Sequence, residues 1–128
     1  MAHRFKKHYT RDEARALLPK LRRWLEELAT TTAIIRETEQ QIASFLAQAD
    51  AVGGEAVNRW VRAMVRARSL FHQFESRAIQ IKDIDRGLID FPAFVGGREV
   101  FLCWEKDEED IEFWHDFDTG FEGRERLE

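Results

Sequence analysis

Residues 88–105 read Leu-Ile-Asp-Phe-Pro-Ala-Phe-Val-Gly-Gly-Arg-Glu-Val-Phe-Leu-Cys-Trp-Glu. Two runs rich in β-branched and aromatic residues flank Gly96-Gly97, and a Gly-Gly pair suits the two-residue turn of a β-hairpin. With Val95 opposite Arg98, the runs pair along their whole length. A further turn at Asp107-Glu108-Glu109-Asp110 leads into a third strand over 111–117, with Glu105 opposite Glu112. Because side chains alternate along a strand, this register sorts them onto two faces. One face holds Ile89, Phe91, Ala93, Val100, Leu102, Trp104, Ile111, Phe113 and His115 and is expected to be core. The other holds Asp90, Phe101, Cys103, Glu105, Glu112, Trp114 and Asp116. It mixes aromatics with carboxylates and reads as a candidate partner surface or the solvated back of a meander. Pro92 cannot donate a ladder hydrogen bond, which puts its strand at an edge.

Upstream the hydrophobic period changes from two to three and four. Thr10-Arg11-Asp12-Glu13 is a capping box, and Leu17, Leu21, Trp24, Leu28, Thr31, Ile35, Thr38, Ile42 and Phe45 follow it as a heptad seam. Pro19 lies about two turns in and is expected to bend the helix or split off a first turn. Ala51-Val52-Gly53-Gly54 reads as the stop. A second seam runs through Val57, Trp60, Met64, Ala67, Phe71, Phe74, Ala78 and Ile81. The fold class is therefore α+β, in one domain over 1–128. An antiparallel two-helix hairpin of coiled-coil character (10–50 and 54–82) precedes a three-stranded antiparallel meander (84–117) and an irregular tail (118–128). Apolar residues beside the seams (Leu18, Leu25, Ile34, Leu46, Val61, Val65, Ile79) must meet either the sheet or a second copy.

The 128 residues include 15 aromatics and a single cysteine. That aromatic content argues against a disordered chain, and one cysteine forms no internal disulfide, as expected of a cytoplasmic protein. No apolar run approaches the roughly 20 residues of a membrane span, and Met1 to Thr10 lacks the apolar core of a secretory signal. The net charge of −4 hides an asymmetry: residues 1–82 carry +6 and residues 83–128 carry −10. Such halves can attract each other within one chain or between two copies, or simply be solvated.

Several motifs together resemble a known family. They are Tyr9-Thr10, Glu13-Ala14-Arg15-Ala16-Leu17-Leu18-Pro19, Lys82-Asp83, Gly87-Leu88-Ile89-Asp90-Phe91-Pro92, Gly97-Arg98-Glu99-Val100, Leu102-Cys103-Trp104, Trp114-His115-Asp116 and Gly120-Phe121-Glu122-Gly123-Arg124. In order and spacing they resemble a family of small bacterial proteins catalogued as a domain of unknown function (DUF 2203). The chain departs from the family pattern at 105–110, where the family has a Gly-Glu pair. The resemblance implies a bacterial cytosolic protein and brings no assigned activity or cofactor.

The residues themselves offer three sites. His115, Asp116 and Asp118 form the candidate metal cluster, since imidazole and carboxylates suit zinc, iron or manganese. Alternation sends His115 and Asp116 to opposite faces, so the competing reading is a core-edge histidine bonded to backbone or a carboxylate. Cys103 reads as buried and inert, and Asp90 and Arg124 as a pair pinning the tail. Arg59, Arg62 and Arg66 share one face of the second helix and are candidate phosphate contacts, though the whole-chain charge argues against a dedicated nucleic-acid binder. No phosphate loop, dinucleotide fingerprint or nucleophile elbow is present.

The favoured expectation is a non-enzymatic interaction protein. It would homodimerise through the hairpin with Trp24, Trp60, Phe71 and Phe74 at the interface, and a further protein partner would meet the aromatic-acidic sheet face. The alternative is a protein, or a metalloenzyme, holding a divalent metal at the Trp-His-Asp segment, with no other cofactor predicted. Nucleic-acid or ribosome binding by the basic helix comes third.

Overall fold

The computed structural model describes residues 2–48 and 54–128; the stop expected at Ala51-Val52-Gly53 lies outside them. Helix α1 spans Arg11–Ala47. Its start is the expected capping box: the Thr10 hydroxyl accepts from the Glu13 N–H, and the Glu13 carboxylate accepts from the Thr10 N–H. The helix runs through Pro19 as one element, without a separate first turn. Helix α2 spans Gly54–Glu75. It stops seven residues short of the expected 82, because Ala78 adopts a positive φ of 59° and the chain turns into a strand. Ile79 and Ile81, read as helical, instead lead into and lie in that strand.

The sheet has five antiparallel strands in sequential order: β1 Gln80–Asp83, β2 Leu88–Val95, β3 Arg98–Glu105, β4 Phe113–His115 and β5 Glu125–Arg126. The added strands come from the end of the expected second helix and from the tail, which also forms a short 3-10 turn at Phe121–Gly123. The Gly96-Gly97 hairpin has the expected register, with Val95 opposite Arg98 and Asp90 opposite Cys103. Strand β2 is flanked on both sides near Asp90, so it is not an edge there. At Pro92, where β1 has ended, the Tyr9 N–H donates to the Pro92 carbonyl from the N-terminal segment. The proline thus sits where no ladder bond is required of it.

One face of the sheet packs against α1. Leu18, Leu21, Leu25 and Leu28 meet Ile89, Phe91, Leu102 and Trp104, while Leu70 and Phe74 of α2 close the same cluster. Leu18 and Leu25, off the expected seam, are therefore as fully buried as the seam residues Leu21 and Leu28, because they belong to the cluster formed with the sheet. Thr38, a polar interruption in the seam, is fully buried and donates to the Ile34 carbonyl on its own helix. Trp24 and Phe74, expected at a homodimer interface, instead make an edge-to-face pair in the core of one chain at 5.8 Å.

Strand β4 departs from the expected register by one residue. Phe101 stands opposite His115, Leu102 opposite Trp114 and Cys103 opposite Phe113. The cause lies in the turn. The Glu108 side chain accepts from the Glu105 N–H, and its carbonyl accepts from the Trp104 indole and the Arg22 guanidinium. These bonds replace the ladder at its end, so pairing starts only at Phe113. A one-residue shift exchanges faces. Trp114 consequently packs against the helix-side core instead of joining the aromatic-acidic face, while His115 moves to the face of Asp90, Phe101 and Cys103.

Candidate metal centre

That second face is not the open surface expected. The chain's own ends cover it. Phe5 packs edge-on against Phe101 at 5.5 Å and Phe117 at 5.7 Å. Glu99 anchors this N-terminal segment: its carboxylate accepts from the Arg4 and Phe5 N–H groups and lies 2.7 Å from His8 Nε2. Its burial opposes ionisation, but the His8, Phe5 and Arg4 hydrogen bonds outweigh this and hold its carboxyl down at about 2. From the other end, Arg124 pairs with Glu108 at 2.9 Å and lies over the rings of Phe113 and Phe121. Arg124 therefore pins the tail through Glu108, not through Asp90.

Beneath this cover Asp90, Cys103 and His115 come together from β2, β3 and β4. Their exposures are 2%, 1% and 2%. One ligand atom from each lies within 4.8 Å of the other two. The two His115 nitrogens have different partners. Nδ1 donates to the Asp116 backbone carbonyl at 2.6 Å, and Nε2 lies 3.0 Å from both Asp90 carboxylate oxygens. Acceptors on both sides call for two N–H groups, hence an imidazolium. Burial is the largest influence and pushes its pKa down. The Asp90 and Cys103 side chains, the Asp116 carbonyl and the Asp90 charge together overcome burial and raise it to about 10.

The arrangement is not a nucleophile-base-acid relay. A relay needs the thiol and the carboxylate on opposite nitrogens of the imidazole. Here the Asp116 carbonyl occupies Nδ1, and Nε2 is left to face Asp90. A backbone carbonyl on the far nitrogen is one of the ways in which a metal-binding histidine is oriented. Beside the three donors lies a cavity of about 300 Å³, walled by Phe101, Phe117 and Phe121, with Lys82, Asp118 and Thr119 also lining it.

The sequence groups His115 with Asp116 and Asp118, whereas the fold brings it to Asp90 and Cys103. Asp116 contributes only its carbonyl, and its carboxylate pairs with Arg98 at 2.9 Å. Asp118 is exposed at the cavity lining. Of the remaining expected partner-surface residues, Asp90 and Phe101 are buried, Glu105 pairs with Arg86 and Glu112 with Arg126. Arg59, Arg62 and Arg66 do line one groove, beside Thr31 and Ile34 of α1. Two of them meet carboxylates of α1: Arg59 with Glu37 and Arg66 with Glu27. Trp60 is half-buried, and its indole N–H has no partner among the described residues. Phe71 is half-buried and lines a cleft with Met64 and Val65.

The family described as "Uncharacterized conserved protein (DUF2203)" matches residues 7–127. The chain belongs to this family. The matched span takes in both helices, all five strands and the three converging donors. No curated protein and no solved structure matches the chain. No helix among the described residues is long and apolar enough to cross a membrane.

Proposed function

We propose that this member of the family binds a divalent metal through Asp90, Cys103 and His115. The observation that carries the reading is the convergence of carboxylate, thiol and imidazole Nε2 from three adjacent strands, all buried, within 4.8 Å. A mixed sulfur, nitrogen and oxygen set suits zinc, and three protein ligands beside a cavity leave a coordination position for water or substrate. Charge balance supports it as well. Aspartate, imidazolium and neutral thiol sum to zero. A dication with aspartate, thiolate and neutral imidazole also sums to zero. Exchange of two protons for the metal therefore buries no net charge, which a dry site requires.

The test is titration of chelator-treated protein with Co2+. One equivalent is expected to bind with a thiolate-to-cobalt charge-transfer band in the near ultraviolet. Cys103→Ser should remove the band, while Asp116→Asn and Asp118→Asn should keep it. A stoichiometric complex without thiolate absorption, or no binding at all, would overturn the assignment.

A second reading, homodimerisation, rests on α2. Val61, Met64 and Val65 are 45%, 44% and 64% exposed on the side turned away from α1. With Phe71 they form an apolar strip that a second copy would cover as a four-helix bundle. Sedimentation at micromolar concentration should give a dimer, and Val65→Glu a monomer. A monomeric wild-type chain would sink this reading.

A further inference from the structure

We propose that the cavity over Asp90, Cys103 and His115 takes a small organic monocarboxylate, its anionic end at the metal position and Lys82 and its apolar body among Phe101, Phe117 and Phe121. The proposal rests on the metal reading for the cavity floor, but its rim is an independent observation. All three aromatic walls carry cations. The Lys82 ammonium lies 5.4 Å from the Phe101 centroid, the Arg4 guanidinium 4.9 Å from that of Phe117, and Arg86 and Arg124 lie 4.3 and 4.1 Å from that of Phe121.

These cations stand out against their surroundings, since residues 83–128 carry a net −10. Arg86 and Arg124 are committed to Glu105 and Glu108. Among the described residues no carboxylate lies within ion-pair distance of the side chains of Lys82 or Arg4. Lys82 lines the aromatic cavity and Arg4 lies over one of its walls, so together they attract an anion by field, and Lys82 leaves its charge a partner on arrival. Asp118 lines the same cavity and opposes a second negative charge, which favours a monocarboxylate over a phosphate dianion. A volume of about 300 Å³ is at the small end for ligand sites and suits a compact acid with one ring or a short branched chain.

The experiment uses the full chain, chelator-treated and loaded with one equivalent of Co2+, titrated with benzoate by calorimetry and cobalt absorption. Benzyl alcohol, benzylamine and inorganic phosphate run in parallel. Benzoate is expected to bind, with benzyl alcohol and phosphate at least tenfold weaker and benzylamine silent. Lys82→Met should weaken benzoate roughly two- to fivefold, the scale of one exposed charge contact, and leave the cobalt spectrum of the unliganded protein unchanged. Benzyl alcohol or phosphate binding as tightly as benzoate, or benzoate failing to bind the cobalt-loaded protein, would overturn the proposal. The same titration without metal separates the two readings. Lys82-dependent benzoate binding by a chain that takes up no cobalt would overturn the metal reading and uphold this one. Cobalt uptake without benzoate binding would do the reverse.

Discussion

Removing one partner of the Asp90–His115 pair should be costly, and removing both should cost little more. The pair is sealed from water, with side-chain exposures of 2% and 3%. Asp90→Ala leaves an imidazolium facing no carboxylate, and His115→Ala leaves a carboxylate facing no imidazolium. Breaking a buried pair from one side costs about 3–5 kcal/mol, a large share of the roughly 5–15 kcal/mol that holds an ordinary domain together. The double variant strands neither charge, so its loss should resemble that of a single variant, giving a coupling of about 3 kcal/mol. Urea unfolding of metal-free protein at pH 7 measures all four species, read through the fluorescence of buried Trp104. Nitrogen NMR of the His115 ring adds a second readout. The wild-type ring should stay doubly protonated past neutral pH, and in Asp90→Ala the balance should swing toward burial and lower its pKa. Single-variant losses that add within about 0.5 kcal/mol, or a wild-type ring already neutral at pH 7, would refute the imidazolium-carboxylate account.

Stability of the metal-free chain should depend on pH from two directions. His115 titrates at about 10 when folded and near 6.5 when unfolded, so its contribution is complete below pH 6.5 and is lost as pH rises toward 10. Glu99 is held down at about 2, so its contribution is complete above its ordinary value near 4.5 and is lost as pH falls toward 2. Denaturation midpoints should therefore peak between those windows, and a flat profile from pH 6.5 to 10 would contradict the His115 assignment. Gly120→Ala should cost about 1–3 kcal/mol by thermal unfolding although its Cβ would enter open space, because φ 64° with ψ −166° is a region that only glycine adopts readily. Glu99→Gln should loosen residues 4–8, read as faster amide exchange at Arg4 and Phe5, whose N–H groups the carboxylate holds. Unchanged exchange there would show that the Phe5 ring packing alone holds the segment.

The hairpin around Gly96-Gly97 and the capping box at Thr10 were legible because each is a short-range device. A positive-φ pair and a reciprocal hydrogen-bond set need no distant partner. The end of α2 was not legible, since Ala78, Ile79 and Ile81 continue the helical period and only pairing with β2 makes Ile81 extended. The candidate site failed for a related reason. His115 was singled out, yet its neighbours depended on the register of β4, and that register depends on how Glu108 folds back on Glu105 and Trp104. Four acidic residues in that turn give no sign of which one does so. The single available signal was Asp90 standing opposite Cys103 in the correctly read hairpin: a carboxylate and a thiol side by side on a strand pair.

The helices outrun the cluster they build. Among the described residues no member of the core cluster lies beyond Ile35 on α1 or before Ala67 on α2, and past those points the buried positions are Thr38, Ala56 and Ala63, with Ile42, Phe45, Val57 and Trp60 half-buried. The small and half-buried side chains of these described helical stretches remove less apolar area from water than the leucines over the sheet, so local opening is expected to start there before it reaches the sheet. The end of the hairpin packed on the sheet is therefore the one that fixes the donor atoms, and the described helical stretches away from it contribute least to holding them.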